Sequence, residues 1–330
     1  MTGSEKTTLH FIKHQPPGQV INISDWDSDV EYYEGFYPQG ARAKHAVISH
    51  PISQGIWIKP NFRYMFKESF ERYPDQFWAE IIAYKVACAM KIHVPPTFVA
   101  FDGNKCGALI EWFYDEQAPC FLRFIDGGVF FQRLIEDFDI KKGTQHNFET
   151  MLEIFQYFQD IEKFQLQEDW FEQLSSILLL DTIIGNTDRH QENWGVIVCK
   201  AEKNIQKVRL APAFDNGTSL GHEIMPENFH KFRNPMALNK YINKGTHHLR
   251  KLISSEAKLK HFDLIELVRP TCKKHFLKHL QNLNLDNLRS DLLELQEFKI
   301  PVPISKDRLL FSLMLIEERY NRLKKIIETD

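Results

Sequence analysis

The chain has 330 residues, 43% hydrophobic and 26% charged, with a formal net charge of −3 at pH 7 when histidine is neutral. That is enough chain to bury one large core or two modest ones, and the charge is too balanced for global attraction to nucleic acid or an anionic membrane. No run approaches the roughly 18–20 apolar residues of a membrane span, and no basic-then-apolar leader opens the sequence. Cys88, Cys106, Cys120, Cys199 and Cys272 are odd in number and scattered, with no Cys-x-x-Cys pair. Reduced thiols and a cytoplasmic setting are therefore expected, with neither a disulfide framework nor a zinc site, although a chain secreted by a dedicated apparatus would read the same way.

Residues 1–30 are polar, and Pro16-Pro17-Gly18 marks loops. Between Tyr32 and Ala46, the turn formers Gly35, Pro38 and Gly40 punctuate the basic residues Arg42 and Lys44. Val47-Ile48, Ile56-Trp57-Ile58 and Arg63-Tyr64-Met65-Phe66-Lys67 are β-type clusters. A helix is expected from Tyr73-Pro74-Asp75 through Met90, carrying Phe77, Glu80, Ile81, Tyr84, Val86 and Ala87, and ending before Pro95-Pro96. Strands Phe98–Phe101 and Cys106–Phe113 follow, joined at Asp102-Gly103-Asn104.

Beyond about residue 115 helices dominate: Val129–Phe138, Phe148–Phe164 and Asp169–Ile184. Trp194–Cys199 and Gln206–Leu210 form a second hairpin, and three helices are expected from Glu256 to Glu328. In the last of these Leu309, Leu310, Leu313, Ile316, Tyr320 and Leu323 should share one face.

The chemistry concentrates where the apolar run Leu180-Asp181-Thr182-Ile183-Ile184 stops at Gly185-Asn186. Asp188 and Asn193 lie five apart, and Phe214-Asp215-Asn216-Gly217 comes 22 residues after Asn193. A single loop Asp or Asn is usually a cap or turn residue. Three in this order, separated by a hairpin, are what phosphoryl transfer requires. One carboxylate orients the attacking hydroxyl; an amide oxygen and a second carboxylate hold Mg²⁺ on nucleotide phosphates. The apolar approach Pro212-Ala213-Phe214 half-buries Asp215, and a half-buried carboxylate needs a cation or donors.

Lys67 closes its strand, and Glu80 sits inside the apolar run of the next helix. A strand lysine paired to a helix glutamate aims an ammonium at the α/β-phosphates, although two solvated charges would read the same way. Lys59 is the rival lysine; Pro60 after it and the direct lead from Lys67 into the Glu80 helix favour Lys67. Gly40-Ala41-Arg42-Ala43-Lys44 reads either as a phosphate loop or as a plain turn. Ile110-Glu111-Trp112-Phe113 serves as a linker flanking an adenine ring, as a core strand, or as both. His190, with Arg189, adjoins the proposed base and is expected to hold the loop or a phosphate, while Asn186 turns the chain. The adjacent pair His247-His248 diverges and has no third metal ligand in view. Lys258, Lys260, Lys273, Lys274 and Lys278 read as a solvated helix face.

Gly185-Asn186-Thr187-Asp188-Arg189-His190-Gln191-Glu192-Asn193-Trp194-Gly195 with Ala211-Pro212-Ala213-Phe214-Asp215-Asn216-Gly217 resembles the signature of HipA-type kinases, especially small single-chain members of the CtkA type. Phosphatidylinositol kinases, which also carry an Asp-Arg-His run, are a weaker likeness. The resemblance spans roughly residues 35–225 and implies an α+β, two-lobed protein-kinase-like fold. It implies ATP-dependent phosphorylation, commonly of Ser or Thr, with Asp188 as base, Asn193 and Asp215 on Mg²⁺, and Lys67 on the α/β-phosphates. This chain departs from toxin-type members: the Gly40 to Lys44 loop has no serine, with Ser49 and Ser53 further on, and neither an extra N-terminal domain nor a helix-turn-helix portion is expected.

The resulting expectation is a β-rich N-lobe over residues 1–113 and a mainly helical C-lobe over 114–330. Its partners are ATP, Mg²⁺ and a protein substrate. The alternatives are a small-molecule or lipid kinase and a nucleotide-binding pseudokinase acting as an interaction module.

Overall fold

Strand β4 (Arg63–Glu68) buries four consecutive residues, as a strand at the centre of a covered sheet must. The computed structural model describes residues 12–28, 43–52, 55–114, 122–200 and 205–329. Around β4 the first sheet adds β1 (Ile21–Asn22), β2 (Asp27–Ser28), β3 (Lys44–Ile48), β5 (Thr97–Asp102) and β6 (Lys105–Glu111), in the order β1-β5-β6-β4-β3-β2. All neighbours are antiparallel except β1 and β5. The β5–β6 turn is shorter than the sequence suggests. Asp102 pairs with Lys105, and Gly103 takes the left-handed backbone (φ 62°) that a two-residue hairpin requires. Tyr64, Phe66, Phe98 and Leu109 are fully buried on one face with Trp26, Val47 and Ile58.

Helix α1 (Phe77–Ala89) is buried nearly all round, with Phe77 and Trp78 at 0% exposure, so its apolar residues do not fall on a single stripe. The cluster Ile56-Trp57-Ile58 is a turn and not a strand: Ile56 is fully exposed and the Ile58 amide donates to the Gly55 carbonyl across the turn. Apolar content alone suggested a strand there, and Gly55 and Pro60 prevailed.

The chain divides into two compact units. The first comprises Met1–Trp112, Gly217–Asn234 and Leu283–Leu315; the second comprises Phe113–Asn216, Pro235–Asn282 and Ile316–Asp330. Segments remote in sequence thus join the first sheet's unit, including α7 (Leu285–Leu293) and the start of α8 (Lys306–Glu328).

The second unit holds a four-stranded sheet of β7 (Leu122–Asp126), β9 (Gly195–Lys200), β10 (Gln206–Leu210) and β8 (Phe164–Leu166), in that order. Sequence reading found β9 and β10 but not β7 or β8. Its helices are α2 (Gly127–Leu134), α3 (Phe148–Asp160), α4 (Trp170–Ile184), α5 (Pro235–Lys244) and α6 (His261–Leu280), with a two-stranded ribbon of β11 (Thr246–Arg250) and β12 (Lys258–Lys260). Helix α4 is started by the Asp169 carboxylate, which accepts from the Phe171 and Glu172 amides. It ends at Gly185 in the left-handed conformation (φ 66°), where a Cβ would collide with the Arg319 guanidinium. Twelve of its residues are buried, Asp181 among them.

Three expectations are corrected. Leu310 is 41% exposed while Leu309, Leu313, Ile316 and Leu323 are buried, because successive helix residues lie about 100° apart. Lys258 and Lys260 sit on β12, not on a helix face. Cys199 is disulfide-bonded, whereas Cys88, Cys106 and Cys272 are free; a bond made by tertiary approach leaves no mark in the spacing of cysteines along the chain. Among the described residues no helix is long and apolar enough to cross a membrane.

Candidate active site

Arg189 organises the second unit's polar centre. It is 2% exposed, and a guanidinium in that position needs acceptors for its fixed fork of donors. Nε donates to Asp181 Oδ2 at 3.0 Å, and Nη2 donates to Asp181 Oδ1 at 2.7 Å. Nη1 donates to the Asn193 carbonyl at 3.0 Å and also to the Phe214 carbonyl, and Nη2 reaches Asn216 Oδ1 at 2.7 Å. One side chain therefore fastens the Asp188–Asn193 loop to the residues on either side of Asp215. Asp181 also accepts from Asn186 Nδ2 at 3.1 Å and faces His247 Nε2 at 3.2 Å. Burial opposes its charge, but Arg189 and His247 outweigh burial and hold the carboxyl below its ordinary range.

Hydrogen bonds inside the loop fix its backbone and leave side-chain oxygens of two residues unengaged. Asn186 Oδ1 accepts the Asp188 amide at 2.9 Å, an Asx turn. Asn193 Nδ2 donates to the Asp188 carbonyl at 2.7 Å, which fixes the amide orientation. Asn193 Oδ1 then accepts no hydrogen bond from any described residue. The half-buried Asp188 carboxylate likewise has no hydrogen bond or ion pair among the described residues. Its pKa is raised by burial, held down by His190, and raised again by the charge of Asp215. Asp215 itself adopts a left-handed backbone (φ 55°), uncommon for a non-glycine residue and a form of strain that clusters at functional sites. Phe214 beside it stacks on Phe113 with centroids 5.0 Å apart and meets Phe124 edge-on.

These donors suit a hard divalent ion. Two carboxylates that repel each other and an amide oxygen accepting no hydrogen bond form an all-oxygen set. Among the described residues no cluster of three His, Cys, Asp or Glu would cage a metal by itself. Mg²⁺ behaves in that way, taking one or two protein oxygens and completing its shell with phosphate and water.

His190 faces Glu192 at 3.8 Å and lies edge-on to His248, centroids 6.0 Å apart. Behind them the Trp194 indole donates to His146 Nε2 at 3.0 Å, so neutral His146 carries its proton on Nδ1 and donates to His248 Nδ1 at 3.3 Å. Burial first, then neighbouring cations, push His248 down to about 3. His247 and His248 diverge as adjacent strand residues do, one to Asp181 and the other to His146.

In the first unit Lys67 is 6% exposed and pairs with Glu80 at 3.4 Å. The rival Lys59 pairs with Glu111 at 2.8 Å and stands over the Phe62 ring. Lys44 is the direct cross-strand partner of Lys67, so the two lysines share a face of the sheet. The Glu111 side chain is buried and also takes Lys13, while Trp112 lies against Arg63; the side chains of this linker are thus used structurally. Gly40 and Arg42 lie outside the described residues. Gln76 Nε2, one residue ahead of α1, donates to the Gly217 carbonyl at 3.3 Å. Arg308 holds Asp75 (2.8 Å) together with the Gly221 and Ile224 carbonyls (2.9 and 2.8 Å).

Asp181, Gln76 and Arg308 were not singled out from sequence. Asp181 carried a signal: an aspartate inside Leu178-Leu179-Leu180 and Thr182-Ile183-Ile184 must be buried, and a buried carboxylate needs a cation.

Residues 36–278, well over half of the 330, match the family model described as the HipA-like C-terminal domain. The chain belongs to this HipA-like family. No curated protein matches it. Among solved structures it is similar to the Helicobacter pylori proinflammatory kinase CtkA, with 18% identity, a TM-score of 0.68, and coverage of 94% of this chain and 96% of that one. At that identity the likeness establishes the fold, a two-lobed α+β protein-kinase-like one. HipA of Shewanella oneidensis MR-1, solved with HipB and operator DNA, shares 10% identity at a TM-score of 0.38 over 91% of this chain and 72% of that one. The golgi casein kinase shares 12% at 0.40 over 98% and 75%. At those scores neither adds to the argument.

Proposed function

We propose that this HipA-like chain is a Mg²⁺- and ATP-dependent kinase that phosphorylates a serine or threonine hydroxyl of a protein. The observation that carries this reading is the Arg189 anchor. It ties the loop bearing Asp188 and Asn193 to the segment bearing Asp215, and leaves the Asp188 carboxylate and Asn193 Oδ1 without hydrogen-bond partners among the described residues.

Asp188 orients the attacking hydroxyl and accepts its proton; its raised pKa brings it closer to working pH than an ordinary aspartate. Asn193 and Asp215 would hold the metal. When bound, Mg²⁺ supplies positive charge to the transferring phosphoryl group. Lys67, aimed by Glu80 at 3.4 Å, takes the α- and β-phosphates, with Lys44 beside it and the Gly40 to Lys44 segment as phosphate loop. Glu111, Trp112 and Phe113 flank the adenine, Phe113 braced by Phe214. His190 steadies the loop beside the base. Catalysis is positioning plus electrostatics, and no covalent intermediate is needed.

The test is incubation of cell lysate with γ-labelled ATP and wild type, Asp188→Ala or Asp215→Ala. A labelled protein band is expected only with wild type, the variants losing at least about a hundredfold in rate. Equal labelling by all three would refute the assignment, and ATP binding without any transfer would favour the pseudokinase.

A further inference from the structure

The ribbon beside Asp188 carries a charge arrangement that the fold itself does not need. Arg250 on β11 and Lys258 on β12 are direct cross-strand partners. Like charges placed opposite each other on paired strands destabilise the pairing, so such a pair calls for a reason. Neither has a carboxylate in ion-pair contact among the described residues. Among the described residues the Arg250 guanidinium donates only to the Glu256 and Gly143 carbonyls, each at 3.4 Å. The Lys258 ammonium makes no hydrogen bond among the described residues, and the one carboxylate that acts on it is Asp188. His190 is differently placed, with Glu192 at 3.8 Å and Asp126 near enough for its charge to be felt.

The orientation of this ribbon face follows from its neighbours. On β11 Thr246, His248 and Arg250 are half-buried and alternate with the buried His247 and Leu249. His248, on the half-buried side, is the residue that meets His190, two positions from Asp188. Arg250 and its partner Lys258 therefore stand on the side of the ribbon turned toward the proposed base. Leu252 and Ile253, which follow directly, are 39% and 46% exposed.

Resting on the kinase reading, we propose that Arg250 and Lys258 form the acceptor subsite, binding an acidic side chain close to the serine or threonine being phosphorylated, so that the substrate is an acidic peptide segment. An incoming carboxylate relieves the repulsion between the two cations and holds the hydroxyl near Asp188. The exposed Leu252 and Ile253 offer apolar contact to the flanking residues. A membrane surface fits less well, since polybasic lipid sites gather about four to eight cations.

The test uses serine peptides flanked by glutamate, alanine or lysine, presented to wild type, Lys258→Ala, Arg250→Ala and the reversed variant Arg250→Glu/Lys258→Glu. Lys258→Ala is the cleaner single change, because its ammonium makes no hydrogen bond among the described residues. Wild type should prefer the glutamate-flanked peptide. Each alanine variant should raise the KM for that peptide about tenfold with the KM for ATP unchanged, and the reversed variant should turn toward lysine-flanked peptides. Without ATP, anisotropy of a fluorescein-labelled glutamate-flanked peptide should report binding that weakens with added salt and in the same variants.

A rise in the KM for ATP alone would assign the pair to the nucleotide and overturn the proposal. Indifference to peptide charge would do so as well, as would labelling of phosphoinositide vesicles ahead of every peptide. Charge-dependent peptide binding with no transfer to any acceptor would retain the anion subsite and bring down the kinase reading instead.

Discussion

Among the described residues two pairs of like charges sit across neighbouring strands, and they are solved differently. Lys44 and Lys67 face each other on β3 and β4, and the buried Lys67 has a permanent counterion in Glu80 at 3.4 Å. Arg250 and Lys258 face each other on β11 and β12, half-buried and exposed, with only carbonyls and the nearby Asp188 to balance them. A cation removed from water cannot remain unpaired, whereas one at the surface can be screened until an anion arrives. The first pair is therefore preset, whereas the second can still take an anion that arrives. That is the difference expected between groups serving a nucleotide used in every turnover and groups selecting a substrate.

The largest effects should come from the anchor that both assignments presuppose. Arg189→Met leaves buried Asp181 with His247 and Asn186 alone and should cost about 3–5 kcal/mol in denaturant unfolding. Adding Asp181→Leu should restore much of that stability but not transfer activity, because the bonds to Phe214 and Asn216 stay lost. Recovery of activity in the double variant would mean that the anchor is structural only.

The pairs themselves come next. Lys67→Ala should lower kcat/KM for ATP about a hundredfold, and Lys258→Ala should raise the acceptor KM about tenfold and leave ATP alone. If both variants act on the same substrate, the contrast between the pairs collapses.

Acidity provides a finer test. Asp188 must be ionised to act as base, so kcat should fall as pH drops through its raised pKa. Lys258 favours the ionised form, and Lys258→Ala should move that acid limb to higher pH by a fraction of a unit, which a pH–rate profile would read.

The smallest effect concerns stability. His248 has a folded-state pKa of about 3 against an ordinary 6.5, so the unfolded chain binds more protons between those values. Its contribution is complete above pH 6.5 and is lost as pH falls toward 3. Thermal melts of His248→Gln should show a shallower acid decline than wild type.

Chain order carried much of this. The spacing of Asp188, Asn193 and Asp215 was legible because loop chemistry is local, and Lys67 with Glu80 because strand and helix are consecutive. Helix α4 could be read from its apolar run and its Gly185 stop. What depended on pairing across the chain could not be read. The opposition of Lys44 to Lys67 and the ribbon that turns Lys258 from a helix face into a strand position are set by register, and the disulfide at Cys199 by tertiary approach. Arg189 was visible beside the proposed base, but its grip on Asp181 and Asn216 was not, because none of those contacts is local.

Calorimetric titration of ATP into wild type, Asp188→Asn and Asp215→Asn, each with Mg²⁺ and with EDTA, bears most directly on the central assignment. Wild type and Asp188→Asn should bind tightly only with Mg²⁺, and Asp215→Asn should lose that dependence along with most of the affinity. Equal, Mg²⁺-independent binding by all three would contradict a metal–nucleotide site at Asn193 and Asp215.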